Sequence, residues 1–465
     1  MLLLEAALML LPLAVSLIYG ESCSLSFVIS AAAAAAVGAT LKFFCRSDSK
    51  NLYTRDGLAI VALSWIGISL FGALPFVISG SIPSFIDAFF ETVSGFTTTG
   101  ASILTDVEAL SHGLLFWRSF THWVGGMGVL VFIMAVMEKT PERSVNILRA
   151  EMPGHNVDKL TPRASGTAKI LYYIYLALTV LETVLLLCGG MPLFDSIVHA
   201  LGTAGTGGFG IKADSIASYS HFCQWVITVF MLLFGVSFNM YYLLLIKRWR
   251  EVLKSNELKC YLGISLAAMI IIVLSIMPLY GSIADAVRLS AFQVSSIVTT
   301  TGYATADFDA WPSLAKAVLL ILMFFGGCTA GGLKMSRVTV LAQIARNDLR
   351  HALRPREVST VILNGRRVDA QGERQILSYF ALYIAVIGAV FLLISFEPFG
   401  IETNFSATVS CVNNIGPGFG QVGPSLSYAD YSAFSKLVLS FAMLLGRLEI
   451  YPLLLLLSPQ LWTKR

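Results

Sequence analysis

Charge is what this chain has least of. Its 28 acidic and 32 basic residues make up 13% of 465 positions, while apolar residues make up 56%; an ordinary soluble domain is about 25% charged. That deficit excludes water as the main solvent. Metal-ligand patterns are missing too: the six histidines make no H-E-x-x-H spacing and the seven cysteines no C-x-x-C pair, so neither a zinc cluster nor a disulfide framework is indicated. The cysteines read as small core residues. The first apolar run lacks the basic start and the A-x-A-like cleavage site of a secretory signal, and is expected to be a retained helix. The glycine cluster Gly205 to Gly210 has neither a following Lys-Ser/Thr nor a βαβ setting, which excludes a phosphate-binding loop.

Long apolar runs are abundant. Uncharged or nearly uncharged stretches of the length a helix needs to cross roughly 30 Å of hydrocarbon recur near 1–19, 25–44, 57–79, 113–137, 170–190, 222–246, 260–280, 313–345, 376–396 and 433–458. Ten crossings are predicted, with four shorter re-entrant pieces between them. The connections after the even-numbered crossings carry the lysines and arginines, for example Arg46, Lys50 and Arg55, or Lys247, Arg248 and Arg250. Those loops are expected in the cytoplasm, with both termini inside and an acidic outer mouth (Asp106, Glu108, Asp307, Asp309, Glu402). The net charge of +4 then reflects membrane orientation and lipid contact rather than nucleic-acid binding.

Four times a run of about a dozen residues leads into a glycine-bearing turn between two apolar stretches. Taking Gly100, Gly207, Gly302 and Gly418 as equivalent aligns DAFFETVSGFTTTG, FDSIVHALGTAGTG, LSAFQVSSIVTTTG and FSATVSCVNNIGPG without a gap, at intervals of 107, 95 and 116 residues. The expected fold is an all-α polytopic membrane protein. Four pseudo-symmetric helix–pore-loop–helix repeats surround one pore and follow an N-terminal two-helix hairpin. The units are drawn at 1–50, 51–140, 141–250, 251–346 and 347–465. Irregular backbone at membrane depth survives only where it lines a water-filled cavity or is buried in protein, so the turns are expected to face an axis. There backbone carbonyls can replace a cation's hydration shell. Glycine permits the positive φ that turning successive carbonyls to one side requires, threonine hydroxyls can add oxygens, and each short helix aims its negative C-terminal end at the ion. The predicted filter residues are Thr98, Thr99 and Gly100; Gly205, Thr206 and Gly207; Thr300, Thr301 and Gly302; and Gly416, Pro417 and Gly418.

With these segments on the page, the chain resembles the Trk branch of the Trk/Ktr/HKT superfamily of potassium-translocating membrane subunits. The resemblance extends to HWVGGMG from His122, RAEMPG from Arg149, TTTGYATADFDAWP from Thr299, NNIGPGFG from Asn413 and GRLEI from Gly446. It implies potassium as the transported ion, with one conduction path per chain in a homodimer of the bacterial inner membrane. It also implies a separate cytoplasmic ring of nucleotide-binding domains, a TrkA-like subunit, that gates the pore. Glycine at the first filter position, Gly100, resembles the potassium-selective members.

A possible gate stands out independently. The eighth crossing is interrupted by GGCTAGGLK, in which Gly326, Gly327, Gly331 and Gly332 weaken a helix by about 1 kcal/mol each; the stretch is expected to be an intramembrane loop below the filter. It is shorter than the family's usual serine- and glycine-rich version. Lys334 and Arg447 are ionisable groups in apolar surroundings, where such groups usually face an aqueous path. A cation under a cation pore would be an electrostatic barrier, and the resemblance places an arginine of the last helix near this loop. Two alternatives stay open: a sodium- or proton-coupled potassium symporter, for which Glu182 in the fifth crossing is the main intramembrane carboxylate, and a poorly selective potassium/sodium conductor. An enzyme is not expected, because no nucleophile–base pair or metal motif sits at helical spacing.

Overall fold

The computed structural model describes residues 1–44, 54–128, 164–327, 331–357 and 360–462. The N-terminal hairpin pairs Leu2–Leu8 and Leu10–Ile18 with Ser24–Phe44, turning at Gly20. Four units of one design follow. Each has a leading helix (Thr54–Gly72 continued by Leu74–Ile78, then Ala164–Cys188, Asn256–Tyr280 and Ala370–Ile394). Each next has a short helix (Phe85–Phe96, Leu193–Gly205, Ile283–Val298 and Ile401–Val412). An irregular return then feeds a trailing helix (His112–Gly126, His221–Phe234, Ser313–Leu322 and Ala433–Arg447).

Local sequence explains these elements. Each short helix carries an acid in its first turn, Asp87, Asp195, Asp285 or Glu402, against the positive end of the helix dipole. Ser84 and Ser282 cap two of them by accepting the N–H groups of Asp87 and Asp285. The short helices are too polar for lipid, with Glu91, His199 and Gln293 among their residues, and protein buries them. The leading helices instead expose Leu176, Leu181, Leu266 and Leu274 on their outer faces. Five helices, Ser24–Phe44, Asp56–Ile78, Lys169–Cys188, Asn256–Tyr280 and Ala370–Ile394, are long and apolar enough to cross a membrane unbroken.

The other predicted crossings are broken, and more of them than the single interruption expected. In the described residues the first trailing helix ends at Gly126, followed by Gly128 at φ +82°. The second bends by 88° between Phe234 and Phe238, and the third stops at Leu322 and resumes as Met335–Leu353. The fourth breaks at 448–450 before Tyr451–Leu456. Hydropathy cannot see these breaks, because the residues stay apolar. Gly235 is fixed by close approach, since a Cβ there would lie 2.6 Å from the Tyr261 hydroxyl and 2.7 Å from Thr299. Glu449 and Ile450 sit at φ +55° and +70°, a conformation that strains a β-branched residue.

The basic connection between the third and fourth units is not all loop either. Its turn Asn364–Gly365, at φ +50° and +80°, closes a small antiparallel hairpin of Ile362–Leu363 with Arg366–Arg367, as an Asn-Gly pair favours. The Asn364 side-chain oxygen accepts from Asn256 N–H (3.1 Å) and the Ser255 hydroxyl (3.1 Å), pinning the hairpin to the third leading helix.

Candidate functional site: a ring of four backbone turns

The four short helices end in the same way. The backbone N–H groups of Thr99, Gly207, Thr301 and Ile415 reach back five residues to the carbonyls of Ser94, Gly202, Ser296 and Ser410 at 2.8–3.0 Å. The residue before each, Thr98, Thr206, Thr300 or Asn414, is left-handed at φ +55° to +57°. The residue after each is a glycine of positive φ: Gly100 (+78°), Gly208 (+74°), Gly302 (+83°) and Gly416 (+101°).

This geometry corrects the sequence register. The equivalent glycines are 100, 208, 302 and 416, one residue past Gly207 in the second unit and two before Gly418 in the fourth. Gly207 takes the place of Thr99 and Thr301, and Gly205 is the last residue of its helix. Gly418 donates its N–H to the Val422 carbonyl at 2.6 Å, outside the four turns. An ungapped alignment could not choose within GTGG or GPG, because the choice is made by where the helix ends.

The turns close on one another in order. A Cβ at Gly100 would be driven into the Gly207 carbonyl oxygen, one at Gly208 into that of Thr301, and one at Gly302 into that of Ile415. A Cβ at Gly416 would lie 2.6 Å from the carbonyl oxygen of Thr99, which completes the circuit. Each ring glycine is thus needed twice, for its φ and for the carbonyl of the next unit at its back. Pro417 stands beside Gly302. The threonine hydroxyls are not interchangeable. Those of Thr97 and Thr99 pair at 2.8 Å, as do those of Thr299 and Thr301, and Asn414 Nδ2 donates to Thr99 at 2.9 Å.

Beneath the ring lies the interrupted third trailing helix. Phe325–Gly326 and Leu333–Lys334 pair in parallel, so the loop enters and leaves side by side. The Gly327 N–H donates to the carbonyl of Val298, at the end of the third short helix (2.9 Å). Gly331 and Gly332, the latter at φ +72°, press against the side-chain oxygens of Asn414 and Asn413. Cys328, Thr329 and Ala330 lie outside the described residues, as do Cys45, RAEMPG from Arg149 and most of the basic stretch 139–169.

The two expected barrier cations have different surroundings. Lys334 Nζ sits 2.6 Å from Glu449 Oε1, and the other Glu449 oxygen takes Arg337, whose guanidinium stacks on Tyr379 at 3.9 Å. Lys334 is therefore paired with a carboxylate that it shares with Arg337, and the three groups together keep one positive charge. Arg447 donates to the carbonyls of Gly125 and Gly126, where the first trailing helix stops, and to the Thr98 hydroxyl at 3.4 Å. Sequence reasoning missed Glu449 and Arg337. The signal was present in RLE and in the i, i+3 pair Lys334 and Arg337. It also passed over Glu91 and Arg118, a buried ion pair behind the first turn. Glu182 is buried within the second leading helix, and no ion pair joins it to a base among the described residues.

Among the described residues no three His, Cys, Asp or Glu side chains come together to hold a metal ion. What this site offers a ligand is backbone oxygen. A closed ring of turns inside a bundle of membrane-crossing helices defines a membrane transport protein and not an enzyme. A family model described as "Cation transport protein" TrkH matches residues 24–464. The chain belongs to the TrkH family of cation transport proteins. It is 34% identical to the Trk system potassium uptake protein TrkH of Salmonella typhimurium, over 98% of this chain and 95% of that protein. It is 33% identical to the Trk system potassium uptake protein TrkG of Escherichia coli, with the same coverage. The crystal structure of the potassium transporter TrkH from Vibrio parahaemolyticus superposes with a TM-score of 0.89 at 33% identity, covering 99% of this chain and 97% of that one.

Proposed function

We propose that this chain conducts potassium through the ring of four turns, acting as a channel-like uptake subunit of the inner membrane with potassium as its cargo. The observation that carries the reading is the closed circuit in which each ring glycine backs onto a carbonyl of the next unit. Such a ring holds its oxygens at fixed separations, as replacement of an ion's hydration shell requires. The four short helices point their negative ends at the same place. Full-length similarity to proteins named for potassium uptake supports the choice of ion.

The segment 326–334 acts as the gate. It meets the end of the third short helix through the Gly327–Val298 hydrogen bond and the end of the fourth through Gly331 and Gly332 against Asn414 and Asn413, and it joins two halves of a broken helix. Lys334, Arg337 and Glu449 fasten its exit, and Arg447 fixes the opposite side. Both termini are cytoplasmic. The chain works as a homodimer of five-part subunits divided at residues 50, 140, 250 and 346. Its basic cytoplasmic faces dock a separate nucleotide-binding regulatory subunit, in keeping with relatives named as parts of a Trk system.

The test is ion flux from purified protein in liposomes, with potassium and sodium compared. Gly100→Ser is expected to lower the potassium/sodium permeability ratio about tenfold, equivalent to ~1.4 kcal/mol, with folded yield little changed. An unchanged ratio would remove Gly100 from the filter. Flux that needs a proton or sodium gradient would favour the coupled reading, for which Glu182 is the candidate carrier.

A further inference from the structure

Behind the ring, one of its four seams is built unlike the others. Arg118, in the first trailing helix, is 2% exposed and its partner Glu91, in the first short helix, is 0% exposed. Arg118 Nε donates to Glu91 Oε1 at 2.8 Å. The rest of the guanidinium reaches both adjoining turns. One terminal nitrogen donates to the carbonyl of Gly210 at 3.2 Å and the other to the hydroxyl of Ser102 at 3.2 Å. Ser102 and Gly210 are equivalent positions, each two residues past its ring glycine. The guanidinium also lies 4.0 Å over the ring of Phe209, the residue after Gly208. Glu91 finishes the network by accepting from the Ser102 hydroxyl (3.0 Å) and the Ile103 N–H (2.9 Å).

Among the described residues the other units have no ion pair at these places; the second has His199, whose ring meets the Tyr303 and Tyr219 hydroxyls at 3.3 and 3.4 Å. Seven residues before the left-handed residue stand Glu91, His199, Gln293 and Ala407; seventh in the trailing helices stand Arg118, Ile227, Leu319 and Leu439. Stability does not require the charges, since Gln293 with Leu319 and Ala407 with Leu439 serve the same positions and are buried. A buried ion pair is in any case weak evidence for stability, because removing two charges from water offsets most of their attraction. What the pair adds is geometry: a planar, rigid fork of donors with one arm on each turn.

We propose that Arg118, held by Glu91, is a positioning residue for ion selectivity, and that it sets the separation between the first and second turns of the ring. This rests on the reading of the ring as a filter. The carbonyls of an ion-coordinating ring discriminate between cations through their spacing and number. A rigid charged bridge across one seam therefore fixes a distance that the other seams leave to single hydrogen bonds, such as the Tyr303 hydroxyl to the Phe209 carbonyl (3.5 Å) and Asn414 Nδ2 to the Thr99 hydroxyl (2.9 Å).

The test is the double variant Glu91→Gln/Arg118→Leu, which gives the first unit the residues the third already carries and leaves no unpaired buried charge. Potassium and sodium fluxes are measured in liposomes beside the unaltered protein and Gly100→Ser, with thermal unfolding recorded on each. A folded double variant whose potassium/sodium ratio falls by about fivefold or more, as expected for a changed carbonyl spacing, supports the proposal. An unchanged ratio, where Gly100→Ser does alter it, overturns the proposal and leaves the filter standing. If neither alters it, the filter reading itself fails and the proposal with it. Should the double variant not fold, Arg118→Lys decides. It keeps the ion pair and loses the fork to Ser102 and Gly210, so a lowered ratio supports positioning and an unchanged one refutes it.

Discussion

Thr98, Thr206, Thr300 and Asn414 hold a left-handed backbone that costs an L-residue roughly 1–2 kcal/mol each. Residues kept in such regions are over-determined by their surroundings and gather at working sites. The ring glycines that follow are held by contact as well as by φ, and this separates true ring positions from their neighbours. Gly208→Ala is expected to lower the potassium/sodium ratio, because its methyl group would displace the Thr301 carbonyl. Gly418→Ala would press on Val422 and Ser406 side chains, at 2.8 and 2.9 Å, and is expected to lower thermal stability with the ratio unchanged. Paired flux and unfolding measurements tell the two apart; equal effects on the ratio would restore the register read from sequence.

A second residue-scale feature lies where the N-terminal hairpin meets the first trailing helix. Glu21 accepts from the backbone N–H groups of His112 and Gly113 (2.6 and 3.0 Å) and from the His112 ring (2.9 Å), so the N-terminal hairpin caps the first trailing helix. Burial alone would raise the Glu21 pKa. The hydrogen bonds from Gly113 and His112 outweigh it, and the carboxyl is held below its ordinary 4.5. A depressed carboxylate contributes stability that is present above the ordinary value and lost as pH falls through the lower, folded one. The hairpin is therefore expected to loosen on acidification below about pH 4.5. Hydrogen exchange of residues 10–44 against pH checks this, and Glu21→Gln should abolish the acid-dependent step while weakening the cap at neutral pH.

At the scale of elements, the broken trailing helices share one cause: glycine or strained backbone where a helix end must pass close to another chain segment. Gly125 and Gly446 occupy matching places, each with its Cα against the last carbonyl of its own short helix, Phe96 or Val412. The break in the third trailing helix runs from Leu322 to Met335 and contains the loop 326–334. Removing Gly331 and Gly332, or replacing Arg447 with alanine, is expected to raise ion flux while leaving the potassium/sodium ratio nearly unchanged. On the proposed reading the loop and the arginine control access, whereas discrimination belongs to the ring. Arg447→Ala also gives up charge-assisted bonds to Gly125 and Gly126, each about 1.5–3 kcal/mol, so some loss of stability accompanies the gain in flux. A folded variant whose flux does not rise would defeat the gating reading.

At the scale of the whole molecule, the four units are tied head to tail where each trailing helix begins. The fourth residue of three trailing helices, Gln224, Lys316 or Lys436, meets a polar residue near the start of the next short helix. Lys436 reaches Asp87 at 2.7 Å, Lys316 reaches Glu402 at 2.9 Å, and Gln224 accepts from Arg288. Between the first and second units the aromatic rings of His112 and Phe194 meet instead, at 4.8 Å. The Lys436–Asp87 tie closes the circle between the last unit and the first. Lys436→Met is expected to destabilise the fold by about 1–3 kcal/mol, since a largely buried carboxylate contact is lost. A double-mutant cycle with Asp87→Asn should return a coupling of ~1 kcal/mol; a coupling of zero would mean that packing alone closes the ring.

The sequence by itself determined the solvent, the fourfold repeat and the chemistry of the turns. Apolar run lengths and the scarcity of charge report directly on a bilayer, and a turn such as TTTG between two apolar runs has few other uses at membrane depth. Family membership was legible for the same reason, in motifs spread from His122 to Ile450. Only the tertiary structure decided which glycine belongs to the ring. Gly207 and Gly208, or Gly416 and Gly418, are chemically alike, and the difference lies in where the preceding helix stops and which carbonyl of the next unit stands behind. Beyond the interruption at 326–334, which the glycines announced, it alone decided where the crossings break, because Gly235 and Ile450 interrupt helices through contact and strain that leave hydropathy unchanged. It also decided how the intramembrane charges pair. Lys334 finds Glu449, and Glu91 finds Arg118, across distances in the chain that leave the partner unspecified even where charged residues stand out in apolar surroundings.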